Sequence, residues 1–190
     1  VVLVASGAGG ALEATDRAET VIDVAPRATI GIAQKAALAR PVLDDDRTPA
    51  DKVYRTTLTL DVRNLGNEPL ADLQVEESLV DAFPPGTRID VLSVSASAAL
   101  GRVAPSYDGG GNTRLLDGSG LLGVGEGGRI VIEIEIDLPD DSALERFDLT
   151  AVATATGPDG ASVSDVSDDG AEPDADGDGQ ADGSGEDTPT

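Results

Sequence analysis

The run "RIVIEIEIDLP", Arg129 to Pro139, restricts the fold of this chain more than any other stretch. Ile130, Ile132, Ile134, Ile136 and Leu138 fall on one side of an extended backbone, with Glu133, Glu135 and Asp137 on the other. Successive side chains of a strand leave opposite faces, so a period of two gives one apolar face and one acidic face. A helix, with its period of 3.6, would scatter the same isoleucines around its circumference. The run is therefore read as a half-buried antiparallel strand, and its apolar face requires a second layer to cover it.

Other segments repeat the pattern. In "YRTTLTLDVR", Tyr54, Thr56, Leu58, Leu60 and Val62 share a face, with Arg55, Thr57, Thr59, Asp61 and Arg63 opposite. "NLGNEPL", from Asn64 to Leu70, reads as a turn, and "ADLQVEESL" supplies the next strand through Leu73 and Val75. "TRIDVLSVSAS" gives a further strand, and "FDLTAVATAT" places Phe147, Leu149, Ala151, Ala153 and Ala155 inward. Short strands separated by Gly, Pro and Asn turns predict an all-β chain, an antiparallel β-sandwich. "IAQKAALAR", Ile32 to Arg40, is rich in helix formers and stops at Pro41, whereas "ATIGIA" just before it alternates. It is read as a strand running into a loop, with a short helix as the alternative.

Composition narrows the chemistry. Of 190 residues 39% are apolar, yet there are only two Phe, two Tyr and no Trp, so the core must be built from Val, Ile, Leu and Ala. The chain has no His and no Cys, which removes imidazole and thiolate from both catalysis and metal binding. No Ser–Lys pair or nucleophile elbow replaces them, and an enzyme is not expected. A formal net charge of −23 repels phosphate backbones and anionic headgroups, so neither nucleic acid nor direct membrane insertion is expected, while divalent cations are attracted. "VVLVA" at the start is too short to span a bilayer and no complete signal peptide is visible; the chain reads as a mature product or a piece of a longer one.

Three regions follow: an N-terminal strand segment over 1–25, a sandwich over 26–168, and an acidic Asp/Gly-rich tail or linker over 169–190. Residues 1–20 also echo residues 151–170 without gaps. Val2 meets Val152, Ala5 meets Ala155, Gly7 meets Gly157, Gly10 meets Gly160 and Ala11 meets Ala161. Both stretches read as strand, glycine turn and polar strand; chance similarity over so few positions is the alternative.

Among candidate sites, "GVGEGG" (Gly123 to Gly128) matches a dinucleotide fingerprint in spacing only. It precedes a strand instead of opening a helix, so it reads as a turn. "LDDDR" (Leu43 to Arg47) reads as a solvated loop, with an accessory cation contact as the alternative, and Glu133 and Glu135 as solvent-facing surface. "DADGDGQAD" is different. With Asp174 at position 1 of a calcium loop, Asp176 stands at 3, Asp178 at 5, Gly179 at 6, Gln180 at 7 and Asp182 at 9. These are the oxygen donors, sharp-turn glycine and carbonyl position of an EF-hand loop. The bidentate Glu at 12 is absent, since Gly185 holds that slot and Glu186 follows it, and no flanking helices are evident. The pattern D-x-D-x-D-G-x-x-D also resembles the loops of dockerin and thrombospondin type 3 repeats. Calcium held by Asp174, Asp176, Asp178, Gln180 and Asp182, with weak, extracellular-grade affinity, is the expectation; a disordered acidic linker is the bland alternative.

"YRTTLTLDVRNLGNEPLADLQVEESL" is similar to the opening of the conserved repeat domain of bacterial surface proteins, domain of unknown function eleven. Asn64 and Gly66 match its turn, and Leu70, Leu73, Val75 and Leu79 its apolar positions. "YDG" (Tyr107 to Gly109), "GEGGRIVIEIEI" and "DLTAVATATGPDGASVSDVSDDG" resemble its later strands, and the resemblance covers about residues 26 to 180. It implies an Ig-like sandwich, often in tandem on secreted or cell-surface chains, with structural or adhesive roles and no catalytic residues. Only one full copy stands here. The expected function is a calcium-stabilised extracellular or cell-surface module. It forms an adhesin stalk with tandem neighbours, or a filament in which residues 1–12 of one copy complete the sheet of another. A calcium-dependent surface or carbohydrate binder is the alternative, with Tyr107 as the free aromatic platform.

Overall fold

The computed structural model describes residues 2–9, 12–19, 25–143, 146–181 and 189–190, the first two segments as backbone only. The strands are β1 (Val2–Gly9), β2 (Leu12–Glu19), β3 (Ile30–Ala36), β4 (Arg40–Leu43), β5 (Pro49–Asn64) and β6 (Leu70–Glu77). They continue with β7 (Arg88–Ala96), β8 (Leu121–Leu122), β9 (Gly127–Asp137), β10 (Ala151–Thr156), β11 (Ser162–Val166) and β12 (Asp168–Asp169). Two short 3-10 turns, Val80–Ala82 and Ala98–Leu100, interrupt them. The expected β-sandwich is present, and Ile32–Arg40 comprises the end of β3, a short loop and the first residue of β4, with no helix.

One sheet runs β11-β10-β6-β8; the other runs β12-β3-β5-β9-β7, with β4 also on β5. All pairings are antiparallel except β12 on β3. The alternation seen in the sequence is what faces the two layers toward each other. Ile130, Ile132, Ile134, Leu58, Leu60, Val62, Ile30 and Ile32 line one inner face. Leu70, Leu73, Val75, Leu122, Ala151, Ala153 and Ala155 line the other. Small alanines on β10 let the sheets approach across a core that is aliphatic apart from Tyr107. Phe83 and Phe147 pair at its margin with ring centroids 4.9 Å apart. The outer face of β5 and β9 carries cross-strand ion pairs, Arg55 to Glu135 at 2.8 Å and Arg129 to Asp61 at 2.7 Å, which fix register more than they add stability.

β5 outruns the core. Its first half holds β4 and a loop after β9, where the Lys52 ammonium donates to the carbonyls of Pro139 (3.3 Å), Asp140 and Ser142 (3.0 Å). Lys52→Met keeps the aliphatic stem and removes those bonds. The expected result is a loss of about 1–2 kcal/mol, read as a lower denaturant midpoint.

The chain changes sheets at Ser167. Before it, β11 closes the β10 edge; after it, β12 joins the β3 edge of the other layer. Side chains secure the crossing. Asp165 Oδ2 accepts the Ile32 N–H at 2.7 Å. Ser167 Oγ accepts the Ala151 N–H at 3.0 Å and donates to Gln34 Oε1 at 3.2 Å. Beyond it, the Gly170 N–H and the Thr190 hydroxyl both donate to the Gln34 carbonyl, each at 2.7 Å. Thr190 also exchanges both backbone bonds with Leu149. The acidic tail therefore lies along the sandwich at each described end.

β1 and β2 form a hairpin of their own, with Val2 opposite Glu19 and Gly9 opposite Leu12, and stand as a separate two-stranded sheet. The segment matched to them, β10 and β11, is likewise an antiparallel hairpin.

Candidate metal centre

The candidate loop begins where the tail leaves β12. Pro173 is buried against Gly31, and a Cβ at Gly31 would stand 3.0 Å from the Pro173 Cβ and carbonyl oxygen. That close approach requires glycine. Ala181 is buried on the far side, and Gly179 packs beside the Arg27 guanidinium, which itself donates to the Leu65 carbonyl at 3.1 Å. Two docking points thus hold the loop ends against the start of β3.

Between them the backbone coils tightly. Gly177 and Gly179 have φ of 76° and 80°, conformations that side chains beyond Cα resist. The aspartates fold onto the backbone that follows: Asp176 Oδ1 accepts the Asp178 N–H (3.0 Å) and Asp178 Oδ1 the Gln180 N–H (2.7 Å). Asp174 Oδ2 accepts the Gly179 N–H at 3.1 Å. These are the short-range turns that Asp favours. Their result is that Asp174, Asp176 and Asp178 each turn a carboxylate oxygen inward, all within 4.8 Å of one another. Asp174 Oδ1 is buried and meets no hydrogen-bond donor among the described residues.

Three carboxylates at this spacing repel by roughly 1–3 kcal/mol per pair, depending on how much water screens them. A cation at their centre reverses that sign. The donor set is entirely oxygen, which suits calcium, magnesium or manganese over zinc or copper. The structure thus brings together three of the five expected ligand residues. The Gln180 side chain is turned to Asp178 Oδ2 at 3.1 Å, leaving its backbone carbonyl for the role its position implies. Asp182 lies outside the described residues.

Arg27, Gly31 and Pro173 were not foreseen as parts of this site, because no local pattern couples residue 27 to residue 179. The remaining candidates fall where the sequence reading put them. "GVGEGG" is the turn between β8 and β9, closed by the Gly123 N–H to Glu126 at 2.8 Å. "LDDDR" is a β4–β5 turn in which Asp46 accepts the Thr48 N–H and hydroxyl, bonds that hold its carboxyl below the usual range. Glu133 is exposed and Glu135 pairs with Arg55. Tyr107 corrects the expectation of an aromatic platform: it is 9% exposed and part of the core, its phenol pushed up by burial and by the neighbouring Glu77 and Asp108. The alternating rule missed this because Tyr107 lies in a loop that folds inward.

No family model and no curated protein matches the chain. Among solved structures, a family 123 glycoside hydrolase from Clostridium perfringens aligns at 11% identity over 76% of this chain, with a TM-score of 0.23. The chain spans 28% of that protein's length, and a likeness at this level carries no argument. No helix among the described residues is long and apolar enough to cross a membrane.

Proposed function

We propose that the chain is an extracellular structural module, a β-sandwich whose acidic tail is clipped to its own surface by calcium. The observation that carries this reading is the docked Asp174–Asp178 loop, with three converging carboxylates and one buried carboxylate oxygen left unsatisfied. Calcium is abundant outside cells, where a weak site fills and a cysteine-free domain gains stability from the ion. The similarity to repeat domains of bacterial surface proteins agrees with that setting.

Within this class, assembly by strand exchange between copies is favoured over a passive stalk by a second observation. The β1–β2 hairpin forms a sheet of its own, while among the described residues β7 pairs only with β9 and ends its sheet. A strand that adds to such an edge gains its main-chain bonds at once. Light scattering in millimolar calcium and then in chelator tests the proposal. Large assemblies that disperse in chelator are expected, and deletion of residues 1–12 is expected to abolish them. Polymer formed equally well by the truncated chain would sink strand exchange, and a calcium-indifferent monomer would sink assembly altogether.

A further inference from the structure

Glu77 is buried completely at the end of β6, where alternation from Leu73 and Val75 directs it into the core. Neither carboxylate oxygen has a hydrogen-bond partner of ordinary geometry among the described residues. Its surroundings come from several elements. Ala151 of β10 lies opposite, Gln34 of β3 brings its side-chain amide close, and the Tyr107 loop brings the phenol, with Asp108 beyond it. Asp168 of β12 is buried on the strand beside Gln34, and Asp165 caps Ile32. Arg114 is turned away to Glu76 on the exposed face. Among the described residues no cation stands near enough to favour ionised Glu77; burial raises its pKa to about 7, and the nearby Gln34 amide offsets only part of that rise.

An ionised carboxylate in this position requires water, and the route of least resistance is the tail. β12 has two residues on β3, against the long ladders of β5 and β9. Gln34 is the shared element. Its side chain joins Ser167 on one side and approaches Glu77 on the other, while its carbonyl receives Gly170 and Thr190. Detaching β12 from β3 would expose the Ser167–Gln34 corner and give water a route to Glu77. The same movement would draw Pro173 away from Gly31, where the aspartate loop begins.

We propose that Glu77 and the Gln34 crossing form a proton-operated latch: ionising Glu77 releases the tail and thereby weakens calcium binding at Asp174, Asp176 and Asp178. Linkage makes the converse hold, so calcium bound at the loop keeps Glu77 protonated. The second half rests on the calcium reading above; the first half does not. The expected pH dependence is distinctive. Protonation of the ligands themselves makes calcium bind better as pH rises, whereas the latch makes it bind worse between about pH 5 and pH 7 and levels off above.

Two measurements on the full chain separate the possibilities. The first is hydrogen exchange at the Gly170 amide in chelator, comparing the parent with Glu77→Gln at matched pH so that intrinsic exchange cancels. Opening in the parent relative to the variant is expected to grow by up to tenfold between about pH 6 and pH 8, from the protonation equilibrium of Glu77. Glu77→Leu, which has no proton to lose, serves as a second variant and is expected to behave as Glu77→Gln. Equal pH dependence in parent and variants overturns the latch. The second is calorimetric titration with calcium chloride between about pH 5 and pH 8, spanning the fall and the plateau. Affinity falling in the parent and flat in Glu77→Gln supports the coupling. Binding with the same pH trend in both overturns it. Absent binding with intact exchange behaviour removes the calcium reading and leaves the proton-operated tail standing.

Discussion

Glu77→Gln is expected to raise the unfolding temperature of this protein at pH 8 and to leave it unchanged near pH 4. In the unfolded chain the carboxyl ionises at its ordinary value of 4.5; in the folded chain burial moves that to about 7. Below the lower value both states hold the proton and the group is silent. Between the two values only the unfolded chain releases it, so stability falls as pH rises. Above about 7 both states are ionised and the full penalty remains. A shift of this size corresponds to about 3 kcal/mol, or roughly 6–12 °C in a chain of this length. Glutamine keeps the shape of the protonated acid without the ionisation. The check is thermal unfolding of parent and variant at several pH values, and a gain of equal size at pH 4 and pH 8 would show that packing, not ionisation, is responsible.

Calcium is expected to produce the second large effect. At a free concentration about a hundredfold above its dissociation constant, an ion bound only by the folded state adds about 3 kcal/mol, again several degrees in unfolding temperature. Asp176→Asn combined with Asp178→Asn should cancel that gain. The amide oxygens still accept the Asp178 and Gln180 N–H groups that shape the loop, so the turn survives; what is lost is the charge and the exposed bond from the Gln180 side chain to Asp178 Oδ2. In chelator the double variant should therefore be at least as stable as the parent, because two of three crowded carboxylates have been neutralised. A variant that is weaker in chelator would mean that the aspartates serve the turn alone. Calorimetric scans in calcium and in chelator, on both proteins, decide between these results.

The two predictions differ in how far sequence alone could lead to them. The clustering of Asp174, Asp176 and Asp178 was legible because the spacing of the carboxylates and the position of the glycine lie within nine adjacent residues. Its docking was not, since the contacts of Pro173 with Gly31 and of Gly179 with Arg27 join residues far apart in the chain. Glu77 was legible in part. Leu73, Val75, Glu77 and Leu79 form one alternating series, and extending it would have put a carboxyl in the core. The sequence rule that acidic residues face water hid it. The bulge at Asp72, with φ of 53°, added to the difficulty, because it puts Leu70 and Leu73 on one face three residues apart and breaks the alternation that flags a strand.

What the sequence by itself determined is the set of strands and the inward face of each. Ile130 to Leu138, Leu58 to Val62 and Ala151 to Ala155 are buried as their alternation requires, because which side a residue takes is a local property of extended backbone. The core chemistry, aliphatic and without histidine or cysteine, was equally plain. Only the tertiary structure decided that the chain changes sheets at Ser167, that the described parts of the acidic tail, 169–181 and 189–190, lie on the sandwich, and that Tyr107 and Glu77 share a buried interior. Each of those depends on which strands become neighbours. That choice is made by the free energy of the whole packed molecule, and no short stretch of sequence encodes it.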